Sequence, residues 1–303
     1  GAPSGRLQGV EQEGEKTMGK IVIVGSGPAG CSAALYAARA GQEVVVISMG
    51  MGALSKAELI QNYYGFEEGI TGAELYRQGV AGAKAVGAEF ITAEVVGLDY
   101  TGSLVVQTTE GDYPADAVIL ATGAGRIAPK IAGLAEHEGR GVSYCATCDA
   151  FFYRGKMAAV LGSGEYALHE VQALLPLAGK VILCTNGEPL TADFPEGVEI
   201  CTEKLAAVEG EEKVSALRLE NGELLPVEGL FAALGVAGSA ALARKLGAPV
   251  ENGRIVVDEK MQTGIPGLYA AGDCTGGLLQ VCKAVYEGAL AATEAIKQIR
   301  GKK

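Results

Sequence analysis

A glycine-rich turn, Gly25-Ser26-Gly27-Pro28-Ala29-Gly30, decides the first part of the fold. It directly follows a β-branched run at 20–24, which is typical of a buried strand. An Ala-rich stretch at 31–40 then predicts a helix, and a second apolar strand is predicted at 44–47. Glycines at this spacing let a pyrophosphate approach the backbone at the N-terminus of the helix. The stretch therefore predicts a strand–turn–helix–strand unit that binds a dinucleotide.

The same pattern returns in the middle of the chain. A strand predicted at 158–161 leads into a second turn, Gly162-Ser163-Gly164-Glu165-Tyr166-Ala167. A helix that reaches residue 177 and a strand at 181–184 are predicted to follow. Because one unit recurs, the sequence predicts a second, smaller doubly wound domain. Two later stretches are typical of hairpin strands that complete it: 205–219 and 223–234.

The remaining elements belong to the first unit. A surface helix is predicted over 72–87, and a small antiparallel set of strands is predicted over 89–119. Another apolar strand is predicted at 267–271 and a long closing helix at 280–299. The prediction is an α/β fold with two doubly wound, Rossmann-like domains, the second inserted in the first. The predicted segments are a leader at 1–17, a discontinuous first domain at 18–124 and 255–303, and an inserted module at 125–254.

Composition limits the class of protein. The 303 residues are long enough for two domains, and 49% hydrophobic residues can supply a packed core. The net charge of −11 argues against nucleic-acid binding. No apolar run reaches the length of about 18 residues that crosses a membrane. Seven scattered Cys residues indicate a reducing compartment, so a cytoplasmic location is expected. The polar stretch before Met18 lacks the apolar core of a signal peptide.

The chemistry centres on one motif, Cys145-Ala146-Thr147-Cys148-Asp149. Two thiols at this spacing can close into a disulfide, and the same spacing lowers the pKa of one of them. An acid directly after the second Cys can give a proton to a leaving thiolate. The spacing alone also fits half of a zinc site or two structural thiols. A zinc site needs a second ligand pair, and the available residues are too scattered to supply one: Cys184, Cys201, Cys274, Cys282, His137 and His169.

The order of these motifs resembles that of the low-molecular-weight thioredoxin reductases. The resemblance extends over 18–300 and is strongest at 145–156. It implies a class II pyridine nucleotide-disulfide oxidoreductase architecture, with FAD in the first domain and the Cys pair in an NADPH-type inserted domain. It also implies a homodimer that reduces a thioredoxin-like protein. Five segments carry the resemblance: 25–30, 62–66, 121–123, 141–149 and 271–273.

The resemblance also implies roles for particular residues. Cys148 would face the flavin, Cys145 would attack the disulfide of the protein substrate, and Asp149 would donate the proton. Asp273 would contact the ribityl chain, and Gln280 would lie at the isoalloxazine ring. The residues implied to bind FAD are Gly25, Ser26, Gly27, Pro28, Ala29, Gly30, Ser48, Gly52, Leu54, Asn62, Ala121, Thr122, Gly123, Gly272, Asp273, Gln280 and Val281.

The resemblance breaks where the inserted domain should bind NADPH. Family members carry an Arg-rich cluster after the second strand of this domain, because guanidinium groups pair with the 2′-phosphate. Here that strand leads into Thr185-Asn186-Gly187-Glu188, and no Arg occurs between Arg154 and Arg218. Leu279 replaces another Arg, and the sequence at 235–239 replaces a Gly-x-x-Pro-Asn pattern. We therefore expect an electron donor other than NADPH.

Several redox partners stay open at this stage. NADH fits the glycine spacing at 162–167, with Glu188 near the expected ribose. A reduced ferredoxin is the favoured hypothesis, because 279–288 resembles the ferredoxin-dependent flavin thioredoxin reductases. Oxygen would be the acceptor if the chain were a dithiol oxidase. A flavin-binding redox sensor without turnover is the remaining interpretation, although Asp149 favours catalysis.

Overall fold

The structure, a computed structural model, describes residues 18–124 and 130–301, so the predicted leader lies outside the described residues. The helices are α1 (Pro28–Arg39), α2 (Gly72–Ala85), α3 (Ala146–Asp149), α4 (Glu165–Leu174), α5 (Ser239–Lys245) and α6 (Val281–Gly301). The strands are β1 (Lys20–Val24), β2 (Glu43–Ser48), β3 (Glu89–Thr92), β4 (Val95–Tyr100), β5 (Leu104–Thr108), β6 (Gly111–Ala115), β7 (Ala117–Leu120), β8 (Val142–Ser143), β9 (Met157–Leu161), β10 (Lys180–Cys184), β11 (Glu199–Cys201), β12 (Leu205–Glu209), β13 (Ala216–Leu219), β14 (Leu224–Pro226), β15 (Gly229–Ala232), β16 (Val250–Glu251), β17 (Arg254–Ile255) and β18 (Leu268–Ala270).

The first domain is built on a five-stranded parallel sheet with the order β18-β7-β1-β2-β3. Helices α1 and α6 cover one face, where Ile21, Ile23 and Tyr269 are fully buried. The antiparallel sheet β4-β5-β6 packs toward the other face through Leu98 and Val106. The first glycine turn lies between β1 and α1, as predicted. Helix α1 begins earlier than predicted, because Pro28 at its first position has its backbone dihedral already fixed for a helix.

The inserted domain repeats this plan on a smaller scale. Its parallel sheet has the order β11-β10-β9-β15-β8, and the antiparallel strands β12-β13-β14 lie beside it. Helix α4 connects β9 to β10. It ends at Leu174 rather than at residue 177, because Pro176 has no backbone N–H with which to continue the helical hydrogen bonds. The two-domain α/β prediction is therefore confirmed.

Two strands differ from the sequence-based prediction. Strand β3, predicted as antiparallel, pairs in parallel with β2, because α2 carries the chain across the sheet before it returns. Strand β15, predicted as part of a hairpin, lies in parallel between β9 and β8. All four residues of β15 are buried, as expected of a central parallel strand. A short apolar run gives no direct signal of strand direction, which explains both errors.

The two domains pack against each other through β4. Helices α4 and α5 of the inserted domain both contact this strand of the first domain. Val95 and Leu98 belong to the same buried cluster as Tyr166 and Leu242, so the apolar core continues across the joint. The hairpin β16–β17 crosses the predicted boundary at 254–255, and the segment limits given above stay a prediction.

Helix α6 closes the first domain by lying against α1. The contact is close at Gly288, where a Cβ would lie 2.0 Å from the carbonyl oxygen of Ala29. Only glycine allows the two helices to approach to this distance. Within 18–124 and 130–301, no helix has the length and apolar character that crossing a membrane requires.

Replacing Gly288 with Ala is expected to lower the melting temperature of the protein by several degrees, since the clash is with backbone and cannot be relieved by a rotamer change. Gly82→Ala on α2 is the matched control, because its Cβ would lie 3.9 Å from Leu35. The control should be neutral or stabilising by about 0.5–1 kcal/mol, as usual for Gly to Ala in a helix. Equal effects of the two changes in thermal unfolding would contradict this account.

Candidate active site

The two cysteines predicted to be redox-active form a disulfide at the start of α3. Strand β8 leads to Cys145, the residue before the helix, and Cys148 lies within its single turn. The Cα atoms of the two cysteines are 5.3 Å apart. Cys145 is only 4% exposed, whereas Cys148 lies at the surface of the chain. The two cysteines of the motif therefore differ in exposure to solvent: Cys145 is buried and Cys148 is exposed.

The polar contacts of the two sulfur atoms also differ. The Cys145 Sγ accepts a hydrogen bond from the backbone N–H of Cys148 at 3.1 Å. The Cys148 Sγ lies 3.3 Å from the carbonyl oxygen of Lys245. A backbone N–H stabilises a thiolate, and a carbonyl oxygen can accept a hydrogen bond only from a protonated thiol. After reduction, these contacts favour a thiolate at Cys145 and a thiol at Cys148.

Asp149, the predicted proton donor, is held by a serine. The Ser143 hydroxyl donates to the Asp149 Oδ2 at 2.7 Å and accepts from the backbone N–H of Cys145 at 3.1 Å. One hydroxyl group thus links the acid to the backbone of the first cysteine. Sequence reasoning missed Ser143, although its position two residues before Cys145 was a signal.

A buried ion pair lies behind the disulfide. The Glu170 and Lys245 side chains are each 1% exposed, and their charged atoms are 2.5 Å apart. The other oxygen of Glu170 accepts from the Ala146 N–H at 2.5 Å, and the His169 Nδ1 lies 3.2 Å from the paired oxygen. Burial opposes the charge on Glu170, but His169, Lys245 and the Ala146 N–H together hold its pKa below the usual value. Glu170 is therefore ionised and orients the first N–H of α3.

The first glycine turn leaves space for a phosphate at the N-terminus of α1. Gly27 precedes the helix, no side chain caps the first turn, and no described atom lies within 4 Å of where a Gly27 Cβ would be. Toward the protein the turn is crowded, since a Cβ on Gly30 would lie 1.9 Å from the Gly25 carbonyl oxygen. The turn is therefore packed tightly on its protein side and open on its solvent side, which fits the pyrophosphate of a dinucleotide. Pro28 and Ala29 form the first helical positions of that opening.

Hydroxyl groups line the end of β2 beside this turn. The Ser26 Oγ lies 2.6 Å from the Ser48 Oγ and 3.1 Å from the Tyr76 hydroxyl. Both serines were predicted, whereas Tyr76 of α2 was missed, because its distance in sequence gave no signal. Gly52 and Leu54, also predicted, lie in a short 3-10 helix that follows β2.

Two predicted flavin contacts from distant parts of the chain meet. The Asn62 side chain donates to the Gln280 Oε1 at 2.8 Å. Val281 begins α6 directly after this glutamine. The structure therefore brings together the aromatic turn at 62–66 and the start of the closing helix.

The turn that carries Asp273 is held by charges on α6. Gly272 has a φ of 89°, which favours glycine. The Lys283 Nζ donates to the Gly272 carbonyl oxygen at 2.9 Å and to the Thr275 hydroxyl at 3.0 Å. Glu287 accepts from the Gly272 N–H at 2.8 Å and pairs with Lys283 at 3.1 Å. Sequence reasoning missed this pair, whose signal was opposite charges four residues apart on one helix.

The predicted flavin residues at 121–123 contribute to the joint between the domains. The Thr122 hydroxyl lies 2.7 Å from the Ser239 hydroxyl and accepts from the Ser239 N–H at 2.8 Å. Ser239 begins α5 and is 1% exposed. The Ala121 carbonyl oxygen lies against Gly25, and Gly123 has a φ of 78°. The Thr122 side chain therefore connects the first domain to the inserted one.

The second glycine turn is contacted by the segment that follows β10. The Thr191 N–H donates to the Ser163 carbonyl oxygen at 2.9 Å. A Cβ on Gly164 would lie 3.0 Å from the Thr191 Oγ1. The segment after β10 thus contacts the second turn at Ser163 and Gly164, which stay partly exposed.

Three other cysteines are buried among apolar groups. Burial raises the pKa of Cys31 to about 12 and that of Cys274 to about 11, and it also raises the pKa of Cys184. Thiols in this state are poor nucleophiles. Cys31 and Cys184 are therefore small core side chains. Cys282 is exposed on α6.

The fold and the disulfide define a flavin-dependent disulfide oxidoreductase, and comparisons with known proteins agree. The family model for pyridine nucleotide-disulphide oxidoreductases matches residues 19–288. A thioredoxin reductase from Aquifex aeolicus is 36% identical over 93% of this chain and 94% of its own. The solved atypical thioredoxin reductase of Desulfovibrio vulgaris Hildenborough is 40% identical, covers 93% of this chain and 98% of its own, and superposes with a TM-score of 0.88. A ferredoxin-flavin thioredoxin reductase from Clostridium acetobutylicum is 35% identical, with a TM-score of 0.72 over 94% of this chain and 99% of its own.

The chain belongs to the pyridine nucleotide-disulphide oxidoreductase family, and within it to the low-molecular-weight thioredoxin reductase type. It is an oxidoreductase with FAD as its cofactor, which confirms these two predictions. The first glycine turn, the Asn62–Gln280 pair and the Gly272–Asp273 turn fit this cofactor in shape and polarity.

Replacing Lys245 with Met should destabilise the FAD-loaded protein by about 3–5 kcal/mol, because the Glu170 carboxylate would stay buried without its counter-charge. The double variant Lys245→Met/Glu170→Gln should recover part of this loss, since it removes both charges. Unfolding in urea measures both values. If the double variant lost as much as the sum of the single ones, the charge pairing would not be the source of the stability.

Proposed function

We propose that this enzyme reduces the disulfide of a thioredoxin-like protein, using FAD, the Cys145–Cys148 pair and electrons from a reduced ferredoxin. The protein substrate is supported by the relatives, which are thioredoxin reductases. A donor other than NADPH is supported by the contact at the second glycine turn, where the Thr191 N–H donates to the Ser163 carbonyl oxygen. This is the observation on which the choice of donor rests.

Two further findings favour ferredoxin over a pyridine nucleotide. The loop after β10 offers Glu188 and no Arg to a 2′-phosphate, so charge there repels rather than attracts it. A solved ferredoxin-flavin thioredoxin reductase matches almost the whole chain. With a reduced ferredoxin as donor, electrons would enter the first domain directly.

The proposed chemistry at the two cysteines follows their contacts. FAD supplies a carrier that takes up electrons singly or in pairs and passes on two. Two electrons and one proton break the Cys145–Cys148 bond and leave a Cys145 thiolate and a Cys148 thiol. The Cys148 N–H stabilises that thiolate, and the Lys245 carbonyl oxygen accepts from that thiol. Cys148 is the sulfur proposed to face the flavin.

The second half of the cycle is thiol–disulfide exchange. The Cys145 thiolate attacks one sulfur of the protein disulfide and releases the other as a thiolate, which takes a proton from Asp149. Cys148 then gives its proton to the Asp149 carboxylate, attacks the Cys145 sulfur of the mixed disulfide, and releases the second substrate sulfur as a thiolate. Because Cys145 is only 4% exposed, the inserted domain must first turn it outward.

An apolar surface beside the disulfide suits a protein substrate. Phe151 and Phe152 directly follow α3 and are each 66% exposed. Exposed aromatic side chains of this kind are typical of protein-binding surfaces. We further propose that the enzyme acts as a homodimer in the cytoplasm, as its family resemblance and its cysteine content suggest.

An anaerobic absorbance titration tests the donor. We expect the flavin of the purified enzyme to bleach rapidly with reduced ferredoxin and to stay oxidised with NADPH or NADH, because Thr191 contacts the second turn and the loop after β10 offers Glu188 and no Arg. Rapid bleaching by NADPH would refute the proposed donor, and rapid bleaching by NADH would favour the NADH alternative. Addition of oxidised thioredoxin should then restore the absorbance.

Replacing Cys145 with Ser should abolish thioredoxin reduction and leave flavin reduction by the donor intact, because only the exchange step needs this thiolate. Cys282→Ser, which removes an exposed thiol outside the pair, is the control and should keep full activity. Loss of both reactions in Cys145→Ser would show that the assigned roles are wrong. Stopped-flow absorbance and a thioredoxin assay measure the two steps separately.

A further inference from the structure

Two cysteines outside the active site lie side by side in the inserted domain. Cys184 is the last residue of β10, and Cys201 is the last residue of β11. The two strands pair in parallel, and Cys184 is the direct register partner of Cys201. The pairing continues beyond them, since the Thr185 N–H donates to the Cys201 carbonyl oxygen at 2.9 Å. The fold thus brings together two cysteines that are far apart in the sequence.

The side chains of these two cysteines lie on the same face of the sheet. Register partners on neighbouring strands project to one side. Cys184 is a fully buried member of an apolar cluster, and the partly buried Cys201 packs against that same cluster. Neighbouring strands are about 4.8 Å apart, and a disulfide can close over a Cα separation of about 4.4–6.8 Å. The pair is therefore close enough to be oxidised while both strands stay in place.

The two thiols differ in their access to solvent. Strand β11 is an edge strand of its sheet, and Cys201 is partly exposed there. Cys184 is fully buried, and its burial, together with the neighbouring Cys201, raises the pKa of its thiol. A reagent in solution therefore meets Cys201 first. Cys184 can react only with a sulfur atom that Cys201 already holds.

This pair is separate from the active-site disulfide. Cys145 follows β8, which is the opposite edge of the same sheet, and strands β9 and β15 lie between β8 and β10. Thiol–disulfide exchange needs direct attack of one sulfur on another. The two pairs therefore cannot exchange with each other within the inserted domain, and an oxidant for the second pair has to come from solution.

We propose that Cys184 and Cys201 form a second redox-active pair, which a low-molecular-weight disulfide oxidises to a disulfide bond between β10 and β11. The Cys201 thiolate attacks one sulfur of the small disulfide. The other sulfur leaves as a thiolate and takes up the proton that Cys201 had lost.

The second step closes the bond between the strands. The Cys184 sulfur attacks the Cys201 sulfur of the mixed disulfide, and the Cys184 proton passes to the departing sulfur. Two protein thiols thus become one disulfide, and the small disulfide becomes two thiols. The closeness of the two cysteines offsets the weak nucleophilicity of the buried Cys184 thiol.

The new bond would close residues 185–200 into a covalent loop. This loop contains Glu188 and also Thr191, whose N–H donates to the Ser163 carbonyl oxygen at the second glycine turn. Closing a loop reduces the conformational freedom of the residues within it. Oxidation should therefore hold this segment more firmly against the turn. The inference goes beyond the proposed function and does not depend on the electron donor.

Thiol mapping of the FAD-loaded enzyme tests this inference. The reduced enzyme is incubated for hours with excess oxidised glutathione, unfolded, alkylated, digested and analysed by mass spectrometry. We expect a cross-linked peptide that joins Cys184 to Cys201 and disappears on treatment with dithiothreitol. Hydrogen exchange of the amides at 185–200 should be severalfold slower in the linked enzyme than in the reduced one.

Three variants separate the steps. Cys184→Ala should keep a glutathione adduct on Cys201, because the attacking thiol of the second step is missing. Cys201→Ser should leave Cys184 unmodified, since Cys184 is buried. Cys282→Ser is the matched control, because it removes an exposed thiol outside the pair and should form the link as the unmodified enzyme does.

Recovery of both Cys184 and Cys201 as alkylated thiols, under conditions that reoxidise Cys145 and Cys148, would overturn the proposal. A glutathione adduct that persists on Cys201 in the unmodified enzyme would overturn it as well, because Cys184 would then not be the partner. Unchanged hydrogen exchange at 185–200 in the linked enzyme would contradict the restraint on the loop. All three outcomes are distinct from failure of the proposed donor, which is seen as flavin bleaching by NADPH.

Discussion

The ion pair between Glu170 and Lys245 is the interaction on which the disulfide site depends. Both side chains are 1% exposed, so each charge needs the other. The pair joins α4 to α5, and its remaining hydrogen-bonding capacity goes to the Ala146 N–H at the start of α3. The Lys245 backbone also approaches Cys148. Helices α3, α4 and α5 thus all contact this ion pair. The disulfide lies at the start of α3, next to it.

Much of the fold follows from the sequence, because it rests on local signals. The turns at 25–30 and 162–167, the helix starts after them and the two-domain plan need only glycine spacing and apolar periodicity. The direction of β3 and β15 could not be predicted, because a short buried run has the same pattern in either direction. Strand direction is decided by the crossover that precedes the strand, as with α2 before β3.

The residues of the site also divide into those that local sequence patterns predict and those that only the fold reveals. The cysteines, the acid after them, Asn62 and Gln280 could be named from the sequence, because motifs carry them, whereas the contact between Asn62 and Gln280 could not. Glu170, Lys245 and Ser239 were missed, since each acts through a partner far away in sequence. From the sequence alone, a buried charged residue cannot be distinguished from a charged residue at the surface. The spacing of Lys283 and Glu287 on one helix predicts that they can form an ion pair. Their contacts with the turn at Gly272 could not be predicted from that spacing.

The unequal burial of the two sulfur atoms has a consequence for chemical selectivity. A small oxidant or alkylating agent reaches a thiolate by diffusion, and burial of Cys145 closes that route in the orientation described. A protein substrate that binds to the enzyme can stay bound until the proposed rotation of the inserted domain exposes the dithiol. The Cys145 sulfur is therefore shielded by burial rather than by low nucleophilicity, whereas the Cys148 sulfur stays within reach of small reagents.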